Sequence, residues 1–119
     1  MDDSDHLLRI VGEAGSLLSD DPSDKPAHII NLAVTFQRLF ERTGSERYLD
    51  TAVALIEGTL SALPEDHPYR PTCFNNLGTF LRSRYDCTQS MDDLKQAIDA
   101  GHKALEVSRQ ITRRELASF

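Results

Sequence analysis

One passage of the chain occurs twice. Residues 26–63 return as residues 71–108, 45 positions on, and this fixed offset limits the possible folds more than any other feature of the sequence. Pro26 falls on Pro71, Asn31-Leu32 on Asn76-Leu77, Thr43 on Thr88, Ser45 on Ser90, Leu49 on Leu94, Ala52 on Ala97 and Leu60 on Leu105. Where identity fails, physical type mostly survives: Lys25 and Arg70, Ala33 and Gly78, Phe36 and Leu81, Phe40 and Tyr85, Glu41 and Asp86, Val53 and Ile98. A period of roughly 20–50 residues marks stacked supersecondary units, none of which can bury its apolar face alone.

The units are helical. Apolar residues recur at i, i+3 and i+4, and no stretch shows the alternating, β-branched pattern of a strand. Five helices fit. The first runs from about Asp5 to Ser19, opened by Asp3 and Ser4, with Leu7, Leu8, Ile10, Val11, Leu17 and Leu18 on its apolar face. The second starts after Ser23, takes Pro26 in its first turn and ends at Thr43, where Gly44 supplies a left-handed cap. Ser45 caps a third helix through Leu63, which Pro64 stops; its face is Leu49, Ala52, Val53, Ile56, Leu60 and Leu63. A Pro-rich link leads to a fourth helix from about Tyr69 to Thr88, with Phe74, Leu77, Leu81 and Tyr85 on one side. Ser90 and Asp93 form an acidic capping box that opens the fifth, carrying Leu94, Ala97, Ile98, Ala104 and Leu105 to about Arg109. Residues 110–119 either extend it or begin another unit.

Bulk properties exclude several classes of function. The 119 residues suit one domain, and 39% apolar content with 27% charge is that of a globular chain. A net charge of −6 and scattered basic residues argue against nucleic acid. No apolar run approaches the ~18 residues that span a bilayer, and the acidic start lacks a cationic leader region, so the expectation is a cytoplasmic protein. No catalytic constellation, phosphate loop or cofactor motif is legible. Cys73 and Cys87, on one helix, stand roughly 21 Å apart at ~1.5 Å per residue, beyond disulfide reach. Neither they nor His6, His28, His67 and His102 show the spacing of a metal site.

Each repeat reads as an antiparallel helix pair whose crossing is marked by small residues, Ala33 and Gly78 on the first helices and Ala52, Ala97 and Ala104 on the second. Asn76-Leu77-Gly78 followed by Ala97 and Ala104 resembles the tetratricopeptide repeat, with Phe74, Leu77, Gly78 and Leu81 as first-helix positions and Gly101 where that family usually has a bulky residue. The unit of about 45 residues exceeds the family's usual ~34. Residues 38–45 with Leu49-Asp50, and Asn75–Gly78 with Arg84–Asp86, Leu94 and Ala97-Ile98, are similar to the expanded repeats of fungal proteins whose arrays sit beside CHAT protease-like or NACHT nucleotide-switch domains. The resemblance covers about residues 5–109 and implies a right-handed α-solenoid of about two and a half units: residues 5–19 the second helix of a degenerate unit, 24–63 and 69–109 the repeats, and 110–119 a tail.

It also implies a function. Such arrays are non-catalytic scaffolds that hold a protein or peptide on the concave face lined by their first helices, or they serve as the sensor or regulatory arm of a larger CHAT or NACHT protein. Carried over by position, the candidates are Ile30, Asn31, Val34, Gln37 and Arg38 from one unit and Asn75, Asn76, Thr79, Arg82 and Ser83 from the other. Some relatives use the asparagine of Asn31 and Asn76 to hold a peptide backbone or terminal carboxylate, but Ala27 and Thr72 stand where the accompanying lysine would be. The alternative for both is a structural bond across the helix seam. Arg38, Arg42, Arg82 and Arg84 are expected to be solvated or paired with Glu41, Asp86, Asp92 and Asp93. Two and a half units are few for a continuous core. Either the tail beyond Arg109 folds back over Ala97, Ile98 and Leu105, or a second copy, a continuing array or a partner covers them.

Overall fold

A computed structural model describes residues 25–117, and these form four helices: α1 Lys25–Thr43, α2 Glu46–Ala62, α3 Arg70–Thr88 and α4 Met91–Ala117. The expected helix over 5–19, with its caps at Asp3 and Ser4, lies outside the described residues. The 45-residue offset carries over to the elements: α3 begins and ends 45 residues after α1, and α4 begins 45 after α2. Each helix packs chiefly on its neighbours in the chain, α3 most extensively on α4, with a smaller contact between α1 and α3. Pro26 and Pro71 each occupy the second position of their helix, where a missing N–H costs nothing.

One core joins the units. Ile30, Ala33 and Phe36 from α1 meet Tyr48, Leu49, Ala52, Val53 and Ile56 from α2 and Cys73, Phe80 and Leu81 from α3. Phe36 stacks on Tyr48 with ring centroids 6.1 Å apart. Because α3 lies between α2 and α4, it buries two sides, and its fully enclosed Cys73 and Phe80 fall off the single stripe of Phe74, Leu77, Leu81 and Tyr85 that periodicity predicts. Small residues do mark the α3–α4 crossing. A Cβ on Gly78 would stand 3.3 Å from the Ala97 carbonyl oxygen and 3.7 Å from the Ala100 Cβ, a tight contact that would push the two backbones slightly apart.

The turns repeat atom by atom. Gly44 (φ 73°) and Gln89 (φ 59°) occupy the left-handed region at the same register. Their N–H groups donate to the carbonyls of Phe40 and Tyr85, each at 2.7 Å. Ser45 and Ser90 donate their N–H to the hydroxyls of Thr43 and Thr88, each at 3.2 Å, and those hydroxyls donate back to Leu39 and Arg84. This replaces the capping expected here. Ser45 sits at the N-cap position in extended conformation, but its hydroxyl makes no cap bond, and Asp93 turns away from Ser90 to accept from Arg84 and Thr88.

Left-handed backbone costs an ordinary residue roughly 1–2 kcal/mol. Gln89 offsets part of this with long, exposed bonds from its amide to Tyr85 and Asp86. Replacing Gln89 by Gly is therefore expected to stabilise the protein by about 0.5–1 kcal/mol, and Gly44→Gln to destabilise it by about 1–2 kcal/mol, in urea unfolding. Equal effects of both on stability would contradict the equivalence of the two turns.

The fifth predicted helix is longer than its counterpart in the first unit. Of the two courses open to residues 110–119 it takes the first, running on past Arg109 to Ala117, so the described tail does not fold back, and Ile98 and Leu105 remain 55% exposed. The reason is compositional. Pro64 and Pro68 interrupt the first unit after α2, whereas the equivalent stretch, 109–113, contains neither proline nor glycine. Within the described residues the extension is fastened by an exposed ion pair, Arg114 Nη1 to Asp66 Oδ2 at 3.0 Å, worth about 0–1 kcal/mol.

Candidate functional site

The ten first-helix positions do not share one environment. Ile30 belongs to the core at 8% exposure, in the stripe with Ala33 and Phe36, and offers little surface to a partner. Asn31, Arg38, Asn75, Thr79 and Arg82 are exposed, whereas Val34, Gln37, Asn76 and Ser83 are half-buried. The Thr79 hydroxyl donates to the Asn75 carbonyl within α3, as Thr35 does to Asn31 within α1. Among the described residues neither the Asn31 nor the Asn76 amide group bonds across a helix seam.

Two cations are committed to the fold. At the start of α3, Arg70 reaches back to the end of α2 and donates from Nη1 to the carbonyls of Leu60 at 3.0 Å and Leu63 at 3.2 Å. These are main-chain acceptors that the helix itself leaves unpaired, and a cation there also meets the negative end of the helix dipole. The same guanidinium lies 5.3 Å from the centre of the Phe74 ring, and Lys103 of α4 approaches that ring at 6.0 Å.

Near the far end of α3, Arg84 joins three helices. Its Nη2 and Nε donate to Asp93 Oδ1 of α4 at 2.9 and 3.1 Å, and its Nη1 to Asp50 Oδ1 of α2 at 3.1 Å. Hydrogen bonding to Asp93 above all raises the Arg84 pKa still further, so the guanidinium stays charged. Sequence reasoning finds the Asp93 partner but misses Asp50, which stands 34 residues away and carries no local signal.

Arg38, Arg42 and Arg82 are different. All three are exposed, and among the described residues they form no ion pair within the fold. Arg38 and Arg82 thus lie on the first helices beside Asn31, Asn75 and Thr79 with their donors available.

Cys73 is enclosed and burial pushes its thiol pKa up, while Cys87 is exposed, also raised, and unpaired. No group of three His, Cys, Asp or Glu residues comes close enough, among the described residues, to hold a metal ion. His67 serves the inter-unit turn, its Nδ1 accepting the Tyr69 N–H at 3.1 Å; His28 and His102 are exposed, and His6 lies outside the described residues. No described helix is long and apolar enough to cross a membrane.

Comparison with known proteins agrees with the geometry. A family model described as tetratricopeptide repeat matches residues 27–69 and again 72–112. No curated protein and no solved structure matches the chain.

Proposed function

The chain belongs to the tetratricopeptide repeat family, and from that membership we propose that it is a non-catalytic scaffold whose first helices, α1 and α3, hold an extended or helical segment of a partner protein. Repeats of this family commonly mediate protein–protein interaction. The units stack as a right-handed solenoid, and the concave side is the face of Asn31, Val34, Gln37 and Arg38 with Asn75, Asn76, Thr79, Arg82 and Ser83.

The observation that carries this reading is the contrast between two sets of arginines. Arg70 and Arg84 are spent on the fold, through main-chain carbonyls and through Asp50 and Asp93. Arg38 and Arg82 stand exposed on successive first helices beside amide side chains that make no hydrogen bond among the described residues. An amide offers both donors and an acceptor, which suits the main chain of a bound segment. Guanidinium groups add a preference for carboxylates, met bidentately.

The test is a selection of peptides on the native chain, followed by calorimetry on Arg38→Glu/Arg82→Glu. The double variant is expected to bind the selected peptides at least ~30-fold more weakly, about 2 kcal/mol, with its unfolding midpoint unchanged. Asn76→Ala should likewise weaken binding without loss of stability. Selected peptides that bind all three proteins alike would place the contact elsewhere and end this reading.

A further inference from the structure

The first unit holds an apolar pocket of about 400 Å³ between α1 and α2, lined among others by Lys25, Ile29, Leu55, Gly58 and Ala62. That volume falls within the range of small-molecule sites, about 300–1,000 Å³. Of the lining side chains only those of Lys25 and Thr59 are polar, and the Thr59 hydroxyl is engaged, donating to the Leu55 carbonyl at 2.8 Å. Lys25 makes no ion pair among the described residues, so its ammonium is the group left to meet the polar end of an occupant.

The 45-residue register shows what shape such a place accepts. In the second unit Phe74 stands at the register of Ile29 and is only 8% exposed; the Arg70 guanidinium lies 5.3 Å and the Lys103 ammonium 6.0 Å from the centre of its ring. Arg70 and Lys103 stand in turn at the registers of Lys25 and Gly58, both of which line the pocket. The first unit therefore keeps a cation but lacks both the ring and the lysine stem. Gly58 does not serve a close crossing as Gly78 does, since a Cβ on it would meet nothing within 4 Å. The cost of a glycine inside a helix is thus not recovered in packing among the described residues, and its effect is to leave the pocket wall open.

We propose that this pocket binds a small aromatic carboxylate, its ring against Ile29, Leu55 and Gly58, where the second unit carries Phe74, and its acid group on the Lys25 ammonium. Apolar walls take the ring and a single cation at the edge fixes its direction, a charge-assisted hydrogen bond being the strong kind. The pocket shares no residue with the partner face of α1 and α3, so either reading can fail without the other.

Titration of the full chain with 3-phenylpropionate and with its neutral counterpart 3-phenylpropan-1-ol, followed by amide NMR shifts, tests this. The acid is expected to give saturable shifts at Ile29, Leu55, Gly58 and Ala62, to leave α4 unmoved, and to bind more tightly than the alcohol. Lys25→Gln should weaken the acid by about three- to tenfold and leave the alcohol unchanged. Ile29→Phe, which gives the first unit the ring of the second, should lower affinity for the acid at least ~tenfold by occupying its place. Gly58→Leu fills the pocket from the other wall with the same expected loss, and an unfolding midpoint no lower than that of the native chain shows that the fold is kept. Absence of saturable shifts at these amides in the native chain overturns the proposal, as does equal binding of acid and alcohol or undiminished binding by the two filled variants.

Discussion

Phe36→Ala is expected to lower the free energy of unfolding by about 3–5 kcal/mol, the usual range for deleting a fully enclosed aromatic ring. Phe36 is 0% exposed and lies at the centre of the core, among side chains from α1, α2 and α3. Its removal leaves a cavity and also takes away the ring stacked on Tyr48. Chains of this size are stable by roughly 5–15 kcal/mol, so this loss is a large fraction of the total. Phe36→Leu provides the control. The second unit already carries Leu81 at that register, 1% exposed, so this substitution should cost well under half as much. Urea unfolding followed by circular dichroism measures both, and a loss below about 1 kcal/mol for the alanine variant would refute the single shared core.

Arg84→Leu is expected to cost about 2–4 kcal/mol, because it strands a carboxylate rather than because it deletes a contact. Asp93 is only 7% exposed and keeps, after the change, one long bond from Thr88 at 3.3 Å. Asp50, by contrast, is 60% exposed at its side chain, and Asp50→Ala should cost no more than about 1 kcal/mol. The repeat supplies the rescue. At the register of Arg84 and Asp93 the first unit has Leu39 and Tyr48, an apolar solution to the same junction. Arg84→Leu/Asp93→Tyr should therefore recover most of the lost stability, as buried ion pairs replaced together by packed apolar groups often do. A double variant no better than the single one would show that the junction does not tolerate the apolar form.

Much of this was legible in the residues, for identifiable reasons. Helix ends followed from Pro26, Gly44, Pro64 and Pro71, whose backbone restrictions act locally and need no tertiary context. The left-handed residue at 89 did not follow from its type, since glutamine gives no such signal; only the register with Gly44 reveals it. Cys73 and Phe80 escaped because a search for one apolar stripe cannot see a helix covered on both sides. Asp93 has two expected roles, a local cap and a partner for arginine, and the guanidinium nine residues upstream wins, a charged hydrogen bond being stronger than a neutral one. Among the site residues, Asn31, Arg38, Asn75, Thr79 and Arg82 lie on the surface, whereas Ile30 does not, because it shares the i, i+3, i+6 stripe of Ala33 and Phe36.

The bond from Arg70 to the end of α2 has a consequence for how the sequence can drift. Its acceptors are the main-chain oxygens of Leu60 and Leu63, which every amino acid possesses. Substitutions at the end of α2 therefore cannot erase the link, so long as the last turn stays helical and Leu63 keeps its extended backbone. All the selective constraint falls on the donor, and the two sides of one junction are free to change at very different rates.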